Sequence, residues 1–123
     1  MNTRLTYRFP KSMRLRTRKQ YQRMANGSSR YIGRWIILDL RFNNRIHSRL
    51  GITVTRRFGK AHQRNRFKRI VREAFRLSHH TFPQALLLNV KPRTLAHQAK
   101  MQDIQAELME LINQAYRHYQ KLS

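Results

Sequence analysis

Residues 48–76, "SRLGITVTRRFGKAHQRNRFKRIVREAFR", contain a change of hydrophobic period that decides the fold. Between Leu50 and Val54 every second residue is apolar, which predicts a β-strand over residues 48–55. Further along, the apolar residues follow the 3.6-residue period of an amphipathic helix; they are Phe67, Ile70, Val71, Ala74 and Phe75. A strand is therefore followed directly by a helix with one apolar face.

The flanking sequence predicts two more strands and two more helices. These elements are a helix from the N-cap Thr17 to about Ala25, strands over residues 30–42 and 84–90, and a C-terminal helix marked by Ile104, Leu108, Leu111, Ile112, Ala115 and Tyr119. The run 84–90 is continuously apolar, which is typical of a strand buried on both faces. Asn43-Asn44 suits a turn, so the strands on either side of it are expected to pair antiparallel.

The order α-β-β-α-β-α predicts a single small domain of the α/β (α+β) class, with a mixed sheet packed against helices. The whole chain, residues 1–123, is expected to form this one domain, because a length of 123 residues is typical of a single domain. Residues 1–13 are basic and contain Pro10, which predicts an irregular arm before the first helix.

The composition indicates a polyanionic partner. Twenty-seven Lys and Arg face five Asp and Glu, which gives a net charge of +22. No apolar run is long enough for a membrane span and the chain has no Cys, so we expect a cytoplasmic protein with no membrane partner. Residues 94–123 are neutral, since Lys100, Arg117 and Lys121 are balanced by Asp103, Glu107 and Glu110.

The basic residues of 56–76 cluster opposite the apolar stripe of the helix. Asn65, Lys68, Arg69, Arg72 and Arg76 share one arc of the helical wheel, and Arg56, Arg57 and Lys60 come just before the first turn. Glu73 is the single acid of this segment, so pairs of opposite charge cannot offset the repulsion. Phosphate groups would resolve this conflict, particularly near the positive end of the helix dipole.

The segment 56–76 resembles the signature of the bacterial ribonuclease P protein subunit. Arg64-Asn65-Arg66 is followed by the pairs Lys68-Arg69 and Arg72-Glu73, and the resemblance extends from Phe9 to about Val90. It implies a left-handed βαβ crossover and an accessory subunit. The partner would be a catalytic RNA that removes the 5′ leader of precursor tRNA with magnesium ions, which we expect to be bound mainly by the RNA. No obligate protein partner is predicted.

Two sets of site residues follow from the residue pattern together with this resemblance. Contacts to the catalytic RNA are expected from Arg56, Arg57, Lys60, Arg64, Asn65, Arg66, Lys68, Arg69, Arg72 and Arg76. A cleft between the first helix and an open sheet face is expected to bind the single-stranded leader, through Lys11, Arg14, Tyr21, Trp35, Ile37 and Thr53. Single-stranded RNA is commonly held by bases stacked on aromatic rings beside a cationic groove.

No residue of the chain is expected to be catalytic or to ligate a metal. Asp103 and Glu107 are spaced to share one Mg²⁺, but such pairs on a helix surface rarely bind metal. His79 and His80 are adjacent, and adjacent residues of a helix do not converge on one face.

Two other functions fit the charge and the size. One is a basic ribosomal or other structural RNA-binding protein, against which the ordered Arg64-Asn65-Arg66 motif argues. The other is a DNA-binding regulator, which would need a base-reading helix and usually a dimer interface.

Overall fold

The computed structural model describes residues 13–42 and 47–122. This part of the chain contains α1 (Arg18–Gly27), β1 (Ser29–Ile32), β2 (Ile36–Phe42), β3 (Arg49–Ile52), α2 (Ala61–Ser78), β4 (Leu86–Pro92) and α3 (Met101–Leu122). Short 3-10 turns lie at Arg56–Phe58, His79–Thr81 and Thr94–Gln98. The predicted α+β class with one mixed sheet is confirmed. The turn at Asn43-Asn44 and the first twelve residues of the arm lie outside the described residues.

The four strands form one sheet in the order β1-β2-β4-β3. β2 pairs antiparallel with β1 and with β4, and β3 pairs parallel with β4. The predicted antiparallel pair of the strands around Asn43-Asn44 is therefore wrong, because β4 lies between β2 and β3. β4 is buried along most of its length and so takes a central place. The left hand of the β3-α2-β4 crossover stays a prediction of the resemblance.

The predicted strand over residues 30–42 is two strands, so the observed order has one more strand than expected. The break comes at Gly33, where the carboxylate of Glu107 on α3 approaches the backbone. It accepts hydrogen bonds from the N–H groups of Arg34, Trp35 (2.7 Å) and Ile36 (2.9 Å). A Cβ at position 33 would overlap this carboxylate, which explains the glycine.

One face of the sheet packs against α2 and α3 and forms the core. The buried side chains on the sheet include Ile36, Leu38, Leu40, Leu50, Leu86, Leu88 and Val90, and they meet Phe67, Val71, Ala74 and Phe75 of α2 and Ile104, Leu108, Leu111, Ile112 and Ala115 of α3. Burying each phenylalanine stabilises the fold by roughly 1.5–3 kcal/mol. Both apolar stripes are confirmed, except that Ile70 is half-buried and Tyr119 is 43% exposed.

α1 packs on the opposite face of the sheet. Thr17 caps it as predicted, since its Oγ1 accepts the N–H of Gln20 at 3.1 Å. Gly51 lets this helix come close, because a Cβ there would lie 2.8 Å from Cε1 of Tyr21. The chain before α1 runs along β3, where the Leu15 N–H donates to the Leu50 carbonyl at 2.8 Å. Among the described residues, α1 and the chain before it cover only part of this second face of the sheet, and we call this face the open face.

Candidate nucleic-acid interface

The outward side of α2 carries cations that have no ion-pair partner among the residues that the structure describes. Asn65, Arg69 and Arg72 are exposed and Lys68 is half-buried. Among residues 13–42 and 47–122, no carboxylate lies within ion-pair distance of Lys68, Arg69 or Arg72. The opposite side of the same helix is in the core, so these three cations stay oriented toward solvent. The predicted cationic face is therefore available to an external anion.

Other arginines of α2 bind the protein itself, which the sequence did not indicate. Arg64 Nη1 donates to the Gly59 carbonyl at 3.1 Å, and Arg66 Nη2 donates to the Ala99 carbonyl at 2.9 Å. These bonds fasten the start of α2 to the turn before it and to the segment before α3. A guanidinium has five N–H donors, so both side chains retain donors for a phosphate.

Arg76 lies at the end of the same face and pairs with Glu73. Its Nε donates to Glu73 at 3.1 Å and its Nη2 at 2.5 Å. The hydrogen bond from Arg76 lowers the pKa of Glu73, although partial burial acts in the opposite direction. This pair removes the one acid of the segment from contact with Lys68 and Arg72.

The start of α2 adds three more exposed cations. Arg56 and Arg57 lie in the 3-10 turn Arg56–Phe58, and Lys60 is the N-cap residue of α2. The Lys60 backbone N–H donates to Gln63 Oε1 at 2.8 Å, which fixes the first turn. This turn, all of it described, has no acidic residue. The positive end of the helix dipole and the cations together favour a bound anion.

A cavity beside β3, where the chain before α1 runs along this strand, brings the two predicted sets of residues together, and we call it the β3-edge cavity. It has a volume of about 210 Å³, and its walls are Arg14, Leu15, Tyr21, Leu50, Ile52, Lys68 and Arg72. Arg14 and Tyr21 belong to the set expected to bind the leader, whereas Lys68 and Arg72 belong to the set expected to bind the catalytic RNA. The two predicted surfaces are therefore continuous at this edge.

A row of side chains crosses the open face from strand to strand. Ile37 pairs in register with Ile32 on one side and Lys91 on the other, and the Thr53 N–H donates to the Val90 carbonyl at 3.0 Å. Ile37, Lys91 and Thr53 line the larger cavity of about 410 Å³, together with Thr55, Arg57, Phe58, Pro92, Thr94 and His97. The structure thus brings the predicted Ile37 and Thr53 to one site beside Arg57.

Lys91 and a ring pair are the features of this site that the sequence reasoning missed. The ring of His97 stacks on Phe58 with centroids 3.9 Å apart and an angle of 4° between the planes. His97 is exposed and lies far along the chain from Phe58, so no local pattern indicates the pair. Lys91 could have been found from the alternation of β4, had its pairing with β2 been known.

Asp39 is a buried acid on the open face, and it is neutralised there. Its carboxylate lies 2.8 Å from Arg30 Nε and 3.4 Å from Lys91 Nζ. Burial alone would raise the pKa of Asp39, but the hydrogen bond from Arg30 and the charges of Lys91 and Arg30 hold it below its ordinary value. Asp39 therefore stays ionised and anchors Lys91 beside the cavity.

Trp35 lies apart from this row. It precedes β2, is half-buried and packs against the core, and the Arg34 guanidinium lies 4.8 Å from its ring centroid. Trp35 lies outside β2, because the strand is broken where Glu107 binds the backbone. Lys11 lies outside the described residues.

The acids and histidines considered as metal ligands have other contacts. Glu107 binds backbone N–H groups, as described above, and Asp103 Oδ2 accepts the N–H of Lys100 at 2.9 Å. His79 stacks on Phe75 with centroids 5.3 Å apart. Across the two described ranges, no group of three or more His, Asp or Glu side chains is placed to hold a metal ion.

The ribonuclease P family model matches residues 9–116 of the chain, which include both sets of site residues. The chain belongs to the ribonuclease P protein family. It is an accessory protein subunit of this endoribonuclease, which acts in tRNA processing, and membership implies partnership with the ribonuclease P RNA. The family predicted from Arg64-Asn65-Arg66 and the residues around it is confirmed.

Relatives and solved structures agree with this assignment. The chain is 40% identical to the ribonuclease P protein component of Chlamydia muridarum, over 86% of this chain and 88% of that protein. It is 31% identical to the component of Desulforapulum autotrophicum, over 91% and 96%. The ribonuclease P protein of Staphylococcus aureus superimposes with a TM-score of 0.74 at 28% identity, covering 85% of this chain and 96% of that one. For Thermotoga maritima the TM-score is 0.73 at 30% identity, covering 82% and 96%.

Proposed function

We propose that this ribonuclease P protein binds the catalytic RNA through α2 and the 5′ leader of precursor tRNA through the open face. The observation that carries the proposal is the solvent-facing group of Lys68, Arg69 and Arg72 on α2, which have no ion-pair partner among the described residues and whose helix packs against the core on its other side. The protein would assist magnesium-dependent removal of the leader, and the cleavage chemistry would belong to the RNA.

Phosphate binding accounts for the cost of concentrating these charges. Like charges three or four residues apart destabilise a helix by about 0.2–0.5 kcal/mol per pair, and Glu73 relieves only Arg76. Phosphates on RNA would reverse this repulsion and release counterions. Each phosphate contact then adds about 0.7–0.9 to the slope of log affinity against log salt concentration.

The leader half of the proposal rests on the row across the open face and on Tyr21. Tyr21 is half-buried and lines the β3-edge cavity beside Arg14. Its ring can therefore stack with a base of the leader, while Arg14 and Lys68 contact the phosphate backbone of the RNA. Lys91, Thr53 and Ile37 continue the surface. Stacking on one aromatic ring contributes roughly 1–3 kcal/mol per base and tolerates any sequence. Trp35 is left out of this set because it packs against the core.

We propose that the RNA holds the magnesium ions of the reaction. The carboxylates of Glu107 and Asp103 accept backbone hydrogen bonds, and Asp39 and Glu73 are paired with cations. These residues do not fit a magnesium site, which needs carboxylate oxygens free to replace water.

We also propose that the protein works in the cytoplasm and without an obligate protein partner. In the part of the chain that the structure describes, no helix is long and apolar enough to cross a bilayer. The large apolar side chains that are exposed there, Ile32, Leu95 and Tyr119, belong to three different elements. Isolated apolar residues of this kind are normal on a protein surface and do not indicate an interface.

Reconstitution tests the proposed function. The purified chain is added to separately transcribed ribonuclease P RNA at low magnesium concentration, and release of the 5′ leader from precursor tRNA is followed. We expect cleavage with the intact chain, and much less with a variant in which Lys68, Arg69 and Arg72 are all alanine. A folded protein that binds the RNA without promoting cleavage would support a purely structural RNA-binding role instead.

A further inference from the structure

A second basic groove lies at the edge of the sheet opposite the α2 cations. It has a volume of about 420 Å³ and is lined by Ser29, Arg30 and Tyr31 of β1 and by Gln114, Arg117, His118 and Lys121 of α3. We call it the β1-edge groove. None of these lining residues, all within the described ranges, is acidic. Three of them are cations at neutral pH.

The net charge of residues 94–123 is zero and therefore does not indicate that one end of α3 is basic. Asp103 and Glu107 lie in the first part of α3, where both carboxylates accept backbone hydrogen bonds. Arg117 and Lys121 lie in its last turns and are exposed. Two of the three acids are thus engaged near the start of the helix, Glu110 is exposed in its middle, and Arg117 and Lys121 lie toward its end. The outer surface of this end is positive although the segment has no net charge.

Compensation of the helix dipole accounts for part of this pattern. A cation in the last turn of a helix, here Lys121, is favoured by the negative end of the helix dipole. The dipole does not account for the groove or for its aromatic wall, where the Tyr31 hydroxyl lies 3.4 Å from His118 Nδ1. Arg30 also lines the groove; its side chain is 53% exposed although it binds Asp39. Rings, hydroxyl and guanidinium together are suited to the bases and phosphates of RNA.

The position of the groove relative to the open face identifies which RNA can reach it. Ile32 of β1 continues the row formed by Ile37, Lys91 and Thr53 and is 62% exposed. The row spans three strand spacings, or about 14 Å at the usual 4.8 Å per strand. A single RNA strand whose stacked bases are about 3.4 Å apart crosses this width in about four nucleotides. Nucleotides beyond these pass the free edge of β1, where the groove begins.

We propose that the β1-edge groove binds the distal nucleotides of the 5′ leader of precursor tRNA. The inference rests on the proposed leader-binding role of the open face and extends it past the edge of the sheet. Arg117 and Lys121 contact phosphates, and Tyr31 and His118 contact bases. The catalytic RNA, bound by α2 at the other edge, does not depend on this groove.

The test measures precursor tRNA affinity in the reconstituted holoenzyme as a function of leader length. Leaders of about 3 and about 12 nucleotides are compared, one shorter and one longer than the width of the sheet. Arg117→Ala and Lys121→Ala should each weaken binding of the long leader severalfold and lower the slope of log affinity against log salt concentration by about 0.7, the value of one phosphate contact on a single strand. Binding of the short leader and of mature tRNA should not change. Lys100→Ala removes an exposed cation at the other end of α3 and should behave like the intact chain.

Three other outcomes would contradict the assignment of the groove to the distal leader. Equal affinities of the variants and the intact chain for the long leader would overturn the inference, as would equal losses for long and short leaders. Weaker binding of the catalytic RNA by Arg117→Ala would assign the groove to that RNA and also overturn it. If the intact holoenzyme itself does not distinguish precursor from mature tRNA, the proposed leader-binding function fails before the groove is considered.

Discussion

The backbone N–H of Ile36, at the start of β2, donates a 2.9 Å hydrogen bond to Oε2 of Glu107 on α3. The same carboxylate binds the N–H groups of Arg34 and Trp35, so one buried acid satisfies three donors of the β1–β2 turn. This contact joins the C-terminal helix to the sheet and sets the point at which β2 begins. It therefore also positions Ile37, the first residue of β2 that lines the open face.

Replacing Glu107 should destabilise the whole domain. Glu107→Ala would leave three backbone donors without a partner, and one buried unsatisfied donor already costs about 1–3 kcal/mol. We expect a loss of about 3 kcal/mol or more in the free energy of unfolding, measured by urea denaturation. Glu110→Ala is the matched control, since Glu110 is an exposed acid one turn along the same helix and its loss should change stability by less than about 0.5 kcal/mol. Equal effects of the two variants would contradict the role assigned to Glu107.

The paired carboxylate of Asp39 predicts a dependence of stability on pH. Its pKa in the folded state is held below the ordinary value of 3.8 by Arg30 and Lys91, against the effect of burial. The folded state thus takes up the proton less readily than the unfolded state, so the contribution is complete above pH 3.8 and is lost as the pH falls through the folded-state pKa.

Thermal unfolding between neutral pH and about pH 2 checks this expectation. Asp39→Asn should flatten the acid limb of the stability curve, because asparagine does not titrate. Glu73→Gln is the comparison: the pKa of Glu73 is also lowered, but its side chain is 42% exposed, so its effect should be smaller. An acid limb that is unchanged in Asp39→Asn would show that the ion pairs do not stabilise the fold.

The helices could be predicted from the sequence because their determinants are local. The spacing of Phe67, Val71 and Phe75 specifies the buried face of α2, and Thr17 with Gln20 specifies the start of α1 through a capping box. The pairing of strands is not local. Pairing of neighbouring strands along the chain is a good general expectation, but it failed here because α2 returns β4 between β2 and β3. The continuous apolar run of β4 was the sequence signal of that central position.

The cationic part of the site could be predicted from the sequence, because it follows from which side of α2 is exposed to solvent. Lys68, Arg69 and Arg72 lie on the solvent side of α2 because the opposite side is apolar. Trp35 was misplaced because its orientation depends on Glu107, seventy-two residues further along the chain. Gly33 inside an apparent strand was a sign of a close approach at this point, although the sequence does not name the residue that approaches.

Single substitutions on α2 should separate RNA binding from folding. Phe75→Ala, in the core, should lower the free energy of unfolding by about 3–5 kcal/mol. Lys68→Ala should scarcely change thermal unfolding in the absence of RNA, because Lys68 has no partner among the described residues. Equal thermal losses in both variants would mean that the two faces of the helix are wrongly assigned.

The salt dependence of catalytic-RNA binding tests the role of Arg72. Arg72→Ala should weaken binding and lower the slope of log affinity against log salt concentration by about 0.7–0.9, the value of one phosphate contact. Arg72→Lys keeps the charge and should keep the slope. An Arg72→Ala variant with unchanged affinity and slope would remove this side chain from the interface.

The two aromatic residues expected from the sequence to bind the leader should now behave differently. Tyr21 lines the β3-edge cavity with Arg14 and Lys68, whereas Trp35 packs against the core. Tyr21→Ala should therefore lower the affinity of the holoenzyme for precursor tRNA relative to mature tRNA, since only the precursor has unpaired bases that stack on the ring, at roughly 1–3 kcal/mol per base. Tyr21→Phe keeps the ring and should keep the ratio.

Trp35→Ala should instead destabilise the protein by about 3 kcal/mol, because the lost ring leaves a space beside the core. At a temperature where this variant is folded, its ratio of precursor to mature affinity should equal that of the intact chain. The ratio is measured with reconstituted holoenzyme, and circular dichroism reports the folded fraction. A ratio that falls in folded Trp35→Ala and stays constant in Tyr21→Ala would reverse the assignment and place the leader beside the β1–β2 turn. A ratio that stays constant in both would leave the catalytic-RNA contacts of α2 intact and remove aromatic stacking from leader binding.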